Sequence, residues 1–146
     1  MSETAVSENA ALAAIARTVA EEAAEHVRSR RTELFAPTGT RAADASVSSK
    51  STPTDPVTVA DTETETLIRD LLRRERPGDE ILGEEAGGSV AVPNGVRWVV
   101  DPIDGTVNFL YGIPAYAVSV AAQIDGHSVA GAVVDVARSV TYWAAS

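Results

Sequence analysis

At 146 residues and 15.2 kDa the chain is about one domain long, and its 45% hydrophobic and 23% charged residues exclude wholesale disorder and collagen-like repeats. Cysteine is absent, which removes disulfides, thiolate nucleophiles and zinc–sulfur sites. Twelve basic residues against 21 acidic ones leave a net charge of −9, which argues against nucleic acid or an anionic membrane as partner.

The apolar content is mostly Ala and Val with only 5% aromatic residues, so a thin core is expected. No run approaches the roughly 18 apolar residues of a membrane span. Ser2 and Glu3 stand where a secretory signal would place basic residues, so a cytoplasmic location is expected.

Residues 8–31 are predicted as one amphipathic helix. Leu12, Ile15, Val19, Ala23 and Val27 recur at steps of three and four, with Glu21, Glu22, Glu25, Arg28 and Arg31 on the other faces. Residues 37–54 lose this period and gather Gly39, Ser46, Ser48, Ser49, Ser51 and Pro53. They read either as a flexible connection or as a loop holding a short hairpin at 45–47. A second helix is predicted to be capped at Asp61 or Thr62, with Thr62 and Glu65 spaced as a capping box. Leu67, Ile68, Leu71 and Leu72 form its apolar stripe, and Pro77-Gly78 stops it.

Strands are then predicted at 80–82 and at 96–100, the latter ending in Asp101. Apolar runs at 116–124 and 127–136 join at Asp125-Gly126, a hairpin turn signal, and 140–145 adds a third antiparallel strand. The expected class is α+β, with layered helices against a largely antiparallel sheet. The last apolar strand runs to Ser146, which would leave an exposed edge and reads as a chain cut short.

The sharpest chemical signal is Val99-Val100-Asp101-Pro102-Ile103-Asp104-Gly105-Thr106, preceded by Gly83-Glu84-Glu85. A strand ending at Asp101 aims its carboxylate into a crevice, and Pro102 stiffens the turn. Asp104 turns toward the same point, Gly105 allows positive φ or close backbone approach, and a helix starting at Thr106 offers free N–H groups to a phosphate. Carboxylates aimed at one point repel unless a cation neutralises them, and oxygen ligands without His or Cys suit Mg²⁺. Glu84 adds a third carboxylate from another strand end. The combination predicts metal-assisted hydrolysis of a phosphate ester without a protein nucleophile.

An Asp-Gly pair is ordinarily a turn, and Glu84-Glu85 ordinarily a solvated pair; their conjunction is what carries the reading. An EF-hand loop needs a different acid spacing and a closing Glu. The D-x-D of aspartyl-phosphate phosphatases is one residue shorter than the D-x-x-D here. His26 and His127 read as surface residues, and Trp98 as core or subunit interface. The loop Leu110-Tyr111-Gly112 reads equally as a substrate contact or as packing.

These motifs resemble the inositol monophosphatase family of magnesium-dependent, lithium-sensitive phosphatases. The resemblance is carried by Gly83-Glu84-Glu85 and by Trp98-Val99-Val100-Asp101-Pro102-Ile103-Asp104-Gly105-Thr106-Val107-Asn108-Phe109. It extends upstream to Lys50-Ser51-Thr52-Pro53 and Asp55-Pro56-Val57-Thr58-Val59-Ala60-Asp61, and downstream to Ile113-Pro114-Ala115-Tyr116-Ala117-Val118-Ser119.

The resemblance implies the N-terminal domain of the inositol monophosphatase/fructose bisphosphatase fold, with Mg²⁺ as cofactor and a small phosphorylated substrate. Glu84 is implied as a ligand of a first metal that also orients the attacking water. Asp101 would bridge two metals, Ile103 would lend its carbonyl to the first, and Asp104 would bind the second. Thr106 is implied to position the water with Asp61 as its hydrogen-bonded partner, and the amides of Gly105 and Thr106 to hold the phosphate. Lys50 matches a flexible basic residue near the metals, against its plain reading as a solvated loop lysine. Inositol 1-phosphate is the first substrate implied, with histidinol phosphate, fructose 1,6-bisphosphate and adenosine 3′,5′-bisphosphate as alternatives among relatives. A homodimer is implied for the full-length form.

Full-length members of that family are nearly twice as long, and their second half carries a W-D-x-A-A-G-type motif whose Asp completes the second metal site. Trp143-Ala144-Ala145 lacks that Asp. Residues 1–146 are therefore expected to be the metal- and phosphate-binding N-terminal domain of such a phosphatase, marginally stable and with little or no turnover alone. The alternative of another class is a non-catalytic metal-binding interaction module.

Overall fold

The computed structural model describes residues 2–35, 56–84, 91 and 93–146. The loop expected at 37–54, with its alternative hairpin at 45–47, lies outside the described residues, as do Lys50 and Glu85.

Helix α1 spans Glu3–Leu34 and is longer than predicted at both ends. Its start is set by Ser2, whose hydroxyl accepts from the Ala5 amide at 3.1 Å, with Glu3 in the first turn against the positive end of the helix dipole. Ala13, Ala16, Ala20, Ala23 and Ala24 form much of its buried stripe, so the helix axis approaches its neighbours closely. Helix α2 spans Pro56–Glu75 and begins before the predicted cap. Proline at the first helical position loses no hydrogen bond, because that amide has no partner inside the helix. Asp61 and Thr62 therefore lie in the second turn rather than at the cap. The capping box is overturned too, since Glu65 is 2% exposed and pairs with Arg69 at 3.1 Å.

Strands β1 (Glu80–Gly83) and β2 (Val96–Asp104) are followed by the short helix α3 (Thr106–Tyr111) and then by β3 (Ala117–Ile124), β4 (His127–Asp135) and β5 (Val140–Ala145). The sheet order is β1-β2-β3-β4-β5, parallel between β1 and β2 and antiparallel elsewhere. Asp125 (φ 49°) and Gly126 (φ 87°) make the expected tight hairpin turn. The class is α+β, with α1 and α2 packed on one face of a mostly antiparallel sheet.

That face buries Trp98 and Val100 of β2, Val118, Val120 and Ala122 of β3, and Ala130, Ala132 and Val134 of β4. Trp98 is core, and its indole N–H donates to Asp79 Oδ2 at 2.9 Å. α1 reaches the end of the chain: Asn9 Nδ2 donates to the Ser146 carbonyl at 3.2 Å, and Arg28 Nε donates to the Val136 carbonyl at 3.1 Å. Thr141 donates to Glu21 at 2.8 Å. His26, read as a surface residue, is half-buried between α1 and α2 with Nε2 3.2 Å from Glu63 Oε1, whereas His127 is exposed. Among the described residues no helix is long and apolar enough to cross a membrane.

Helix α3 is held by aromatic packing. The fully buried Phe109 ring meets Phe35 edge-on at 5.8 Å and Tyr116 at 5.4 Å. Arg31 Nε donates to the Phe109 carbonyl at 3.0 Å, and its guanidinium lies 4.7 Å over Phe35. Phe109→Ala is expected to cost about 3–5 kcal/mol of stability, measured by urea unfolding followed by circular dichroism.

Candidate metal and phosphate site

Parallel pairing of β1 with β2 sets Gly83 beside Val100, so the next residues in register are Glu84 and Asp101. An acid that leaves one strand is thereby delivered next to an acid of its neighbour. β2 does not end at Asp101 as predicted; it continues to Asp104 through a break in register, with Asp101 opposite Ser119 and Asp104 opposite Ala117. Two residues, Pro102 and Ile103, thus face the single Val118 of β3. Proline has no N–H for the ladder and is tolerated at such a bulge.

The bulge has a chemical result. Residues three apart on a regular strand point to opposite faces, but one inserted residue restores them to the same face. Asp101 and Asp104 consequently share the face of Ser119 and Ala117, opposite the one that buries Val118 and Val120 under α1.

Asp101 is half-buried, and its Oδ1 is enclosed with no hydrogen-bond partner. Burial pushes the Asp101 carboxyl up to about 7, reinforced by the adjoining Glu84 carboxyl and by the charge of Asp104, while the Ile103 amide acts in the opposite sense. An enclosed carboxylate oxygen without a donor, beside two further acids, fits a hard cation. Glu84 and Asp104 are exposed at the edge of this arrangement. Among the described residues, no group of three His, Cys, Asp or Glu side chains is close enough to be a ligating cluster.

Gly105 has φ +93° and caps the N-terminus of α3. A Cβ there would lie 2.8 Å from the Ala115 carbonyl, so both the conformation and the space require glycine. Asn108 Nδ2 donates to the same carbonyl at 2.9 Å. Thr106 is half-buried at the first position of α3. A cleft of about 510 Å³ opens beside these residues, lined by Asp104, Gly105, Asn108, Tyr116, Arg138 and Tyr142 among others. The Leu110-Tyr111-Gly112 segment is exposed, with Tyr111 73% accessible.

Asp61 is buried on α2, as is Glu65 one turn later. Sequence reasoning took Glu65 for a capping residue and missed its place. Its carboxyl group fills the space that a side chain at Gly83 would occupy, with Oε1 2.5 Å from the position of a Cβ. The signal available in the sequence was spacing: Ile68 and Leu72 follow Glu65 by three and seven residues, so an uninterrupted helix sets residue 65 on their buried face.

Comparison with known proteins gives a consistent set of likenesses. A family model described as the inositol monophosphatase family matches residues 8–146. The Mycobacterium leprae protein named inositol-1-monophosphatase is 60% identical over 139 residues, which are 92% of this chain and 48% of that protein. The solved structure of Mycobacterium tuberculosis SuhB aligns with a TM-score of 0.73 and 52% identity, covering 93% of this chain and 44% of that one. A histidinol-phosphatase of Mycobacterium tuberculosis is 48% identical over 90 residues, 62% of this chain and 34% of that protein. The chain spans about half the length of the curated inositol monophosphatases it matches.

The raised Asp101 carboxyl predicts a pH dependence. Between its ordinary value of 3.8 and about 7, the folded chain holds a proton that the unfolded chain has released. This group therefore lowers stability as pH rises through that window. In metal-free buffer, Asp101→Asn is expected to melt above the wild-type chain at pH 8 and to lose that advantage below pH 4, as read from thermal melts across the range.

Proposed function

The chain belongs to the inositol monophosphatase family, and on that premise we propose that it is the metal- and phosphate-binding part of a magnesium-dependent phosphomonoester hydrolase acting on inositol 1-phosphate. The observation that carries the reading is the enclosed, donorless Oδ1 of Asp101 between Glu84 and Asp104. Glu84, Asp101, the Ile103 carbonyl and Asp104 would hold the ions. Bound Mg²⁺ supplies charge stabilisation of the phosphoryl oxygens and of the leaving alkoxide, and acidifies water.

The rest falls to the chain's own groups. Gly105, whose positive φ and tight fit against the Ala115 carbonyl admit no side chain, sets the start of α3, and the first N–H groups of α3 have no acceptor inside the helix. These amides of Gly105 and Thr106 orient the phosphoryl group. The Thr106 hydroxyl would hold the attacking water by accepting its hydrogen bond, while donating its own hydrogen bond to the carboxylate of Asp61. Lys50 is proposed to approach the same anionic centre. Inositol 1-phosphate follows from the relatives that carry that activity in their names, and histidinol phosphate is the alternative supported by the similar histidinol-phosphatase.

The test starts from melting. Mg²⁺ at about 100 times its dissociation constant should stabilise the wild-type chain by about 2.7 kcal/mol. Glu84→Gln and Asp101→Asn should abolish that gain; an unchanged response would overturn the site. Phosphate release from inositol 1-phosphate and from histidinol phosphate is then measured after adding a polypeptide that covers the remaining length of the Mycobacterium leprae relative. Release from neither ester, with Mg²⁺-dependent melting intact, would assign a non-catalytic metal-binding module.

A further inference from the structure

Glu65 takes no part in the chemistry just proposed, yet it is among the most thoroughly buried charged residues, at 2% exposure. Burying an ionised carboxyl is costly unless it is paired, and a buried ion pair stabilises a fold no better than an apolar pair of similar volume. Glu65 is paired, with Arg69 Nε 3.1 Å from its Oε2, and Arg69 is itself largely buried at 15% exposure.

The contact on its other side is the informative one. Measured from the position a Cβ would take on Gly83, Oε1, Cδ and Oε2 of Glu65 lie at 2.5, 2.6 and 2.7 Å. The whole carboxyl group is therefore seated against the Gly83 backbone, at a spot that any side chain on residue 83 would fill. Gly83 immediately precedes Glu84 and pairs with Val100, which immediately precedes Asp101. One helical turn before Glu65, on the same face of α2, is Asp61.

We propose that Glu65 is a positioning residue: seated against Gly83, it sets the separation between the helix that carries Asp61 and the strand end that carries Glu84. The proposal rests on the reading above, in which those two acids serve one site. Arg69 holds the Glu65 carboxyl at a fixed angle, and Gly83 supplies the vacancy that receives it. A slide of α2 along β1 would drive the carboxyl into backbone, so the contact limits the helix to one register. The Gly-Glu pair at 83–84 thereby combines a recess for one acid with the placement of another.

Glu65→Gln keeps the shape and weakens the ion pair, and Glu65→Asp withdraws the carboxyl by one methylene. Two readouts on the 146-residue chain apply to both. In metal-free buffer, hydrogen-exchange protection of those β1 amides that bond to β2 should fall about tenfold relative to Val118 and Val120 of the core. The Mg²⁺ concentration that half-saturates the melting shift should rise about 10–100-fold, as for a residue that orients a ligand without touching the ion. Gly83→Ala should give the same double signature by displacing the carboxyl.

Protection that drops evenly over the whole sheet, with the Mg²⁺ midpoint unchanged, would make Glu65 an ordinary core residue and overturn the proposal. If the wild-type chain shows no Mg²⁺ response, the metal reading fails, while the exchange data still decide whether Glu65 fixes the strand end. Should neither Glu65 variant melt cooperatively, Arg69→Lys carries both readouts with the carboxyl left in place.

Discussion

Repulsion between carboxyl groups is the constraint around which this sheet end is built. Neighbouring strands lie about 4.8 Å apart, and the parallel register of β1 and β2 puts Glu84 and Asp101 on adjacent positions at that spacing. The bulge at Pro102-Ile103 then brings Asp104 round to the face of Asp101. Left to themselves, such groups relieve their repulsion by keeping a proton, which is the state toward which burial drives Asp101. A fold that holds them together regardless is one whose surrounding contacts exceed this cost. Those contacts come from α2 beneath the strand ends and from the aromatic cluster that fixes α3.

The scaffold divides accordingly into a part that makes the sheet and a part that bends it. Alanine on α1 lets the helix lie close over β3 and β4, whose register runs unbroken over the buried Val118, Val120 and Ala122 and shifts at Gln123, beside the hairpin turn. A second irregularity lies at the end of β2, where proline interrupts the ladder and Gly105 reverses the chain into α3. The candidate chemistry occupies that irregular segment, and the regular portion serves as its mount.

Much of this was readable from residues alone. The meander at 116–145 announced itself by two apolar runs about Asp125-Gly126, and the α+β class followed from helices preceding strands. The register that sets Glu84 beside Asp101, and the face that Asp101 shares with Asp104, come from strand pairing and not from the motif itself. Spacing alone suggested a strand that stops at Asp101, because a proline normally ends a ladder; only pairing with β3 reveals the bulge that places two acids three residues apart on one face. Capping signals at Thr62 and Glu65 point to a later start of α2 than the proline six residues before Thr62, where the helix begins. They mask the inward face of Glu65, whose partner, the missing side chain of Gly83, is a property of another element and leaves no local trace.

The bonds from α1 to the far end of the chain have a kinetic consequence. Asn9 meets Ser146, and Glu21 meets Thr141, across nearly the whole sequence. The apolar stripe of α1 is thus synthesised well before its cover, since β3 to β5 must follow before it can dock on them. High sequence separation of this kind slows the search for the native topology and lengthens the interval in which an alanine- and valine-rich surface lies open to other chains. Refolding from dilute solution should therefore be favoured over refolding at high concentration, with the docking of α1 as the late event.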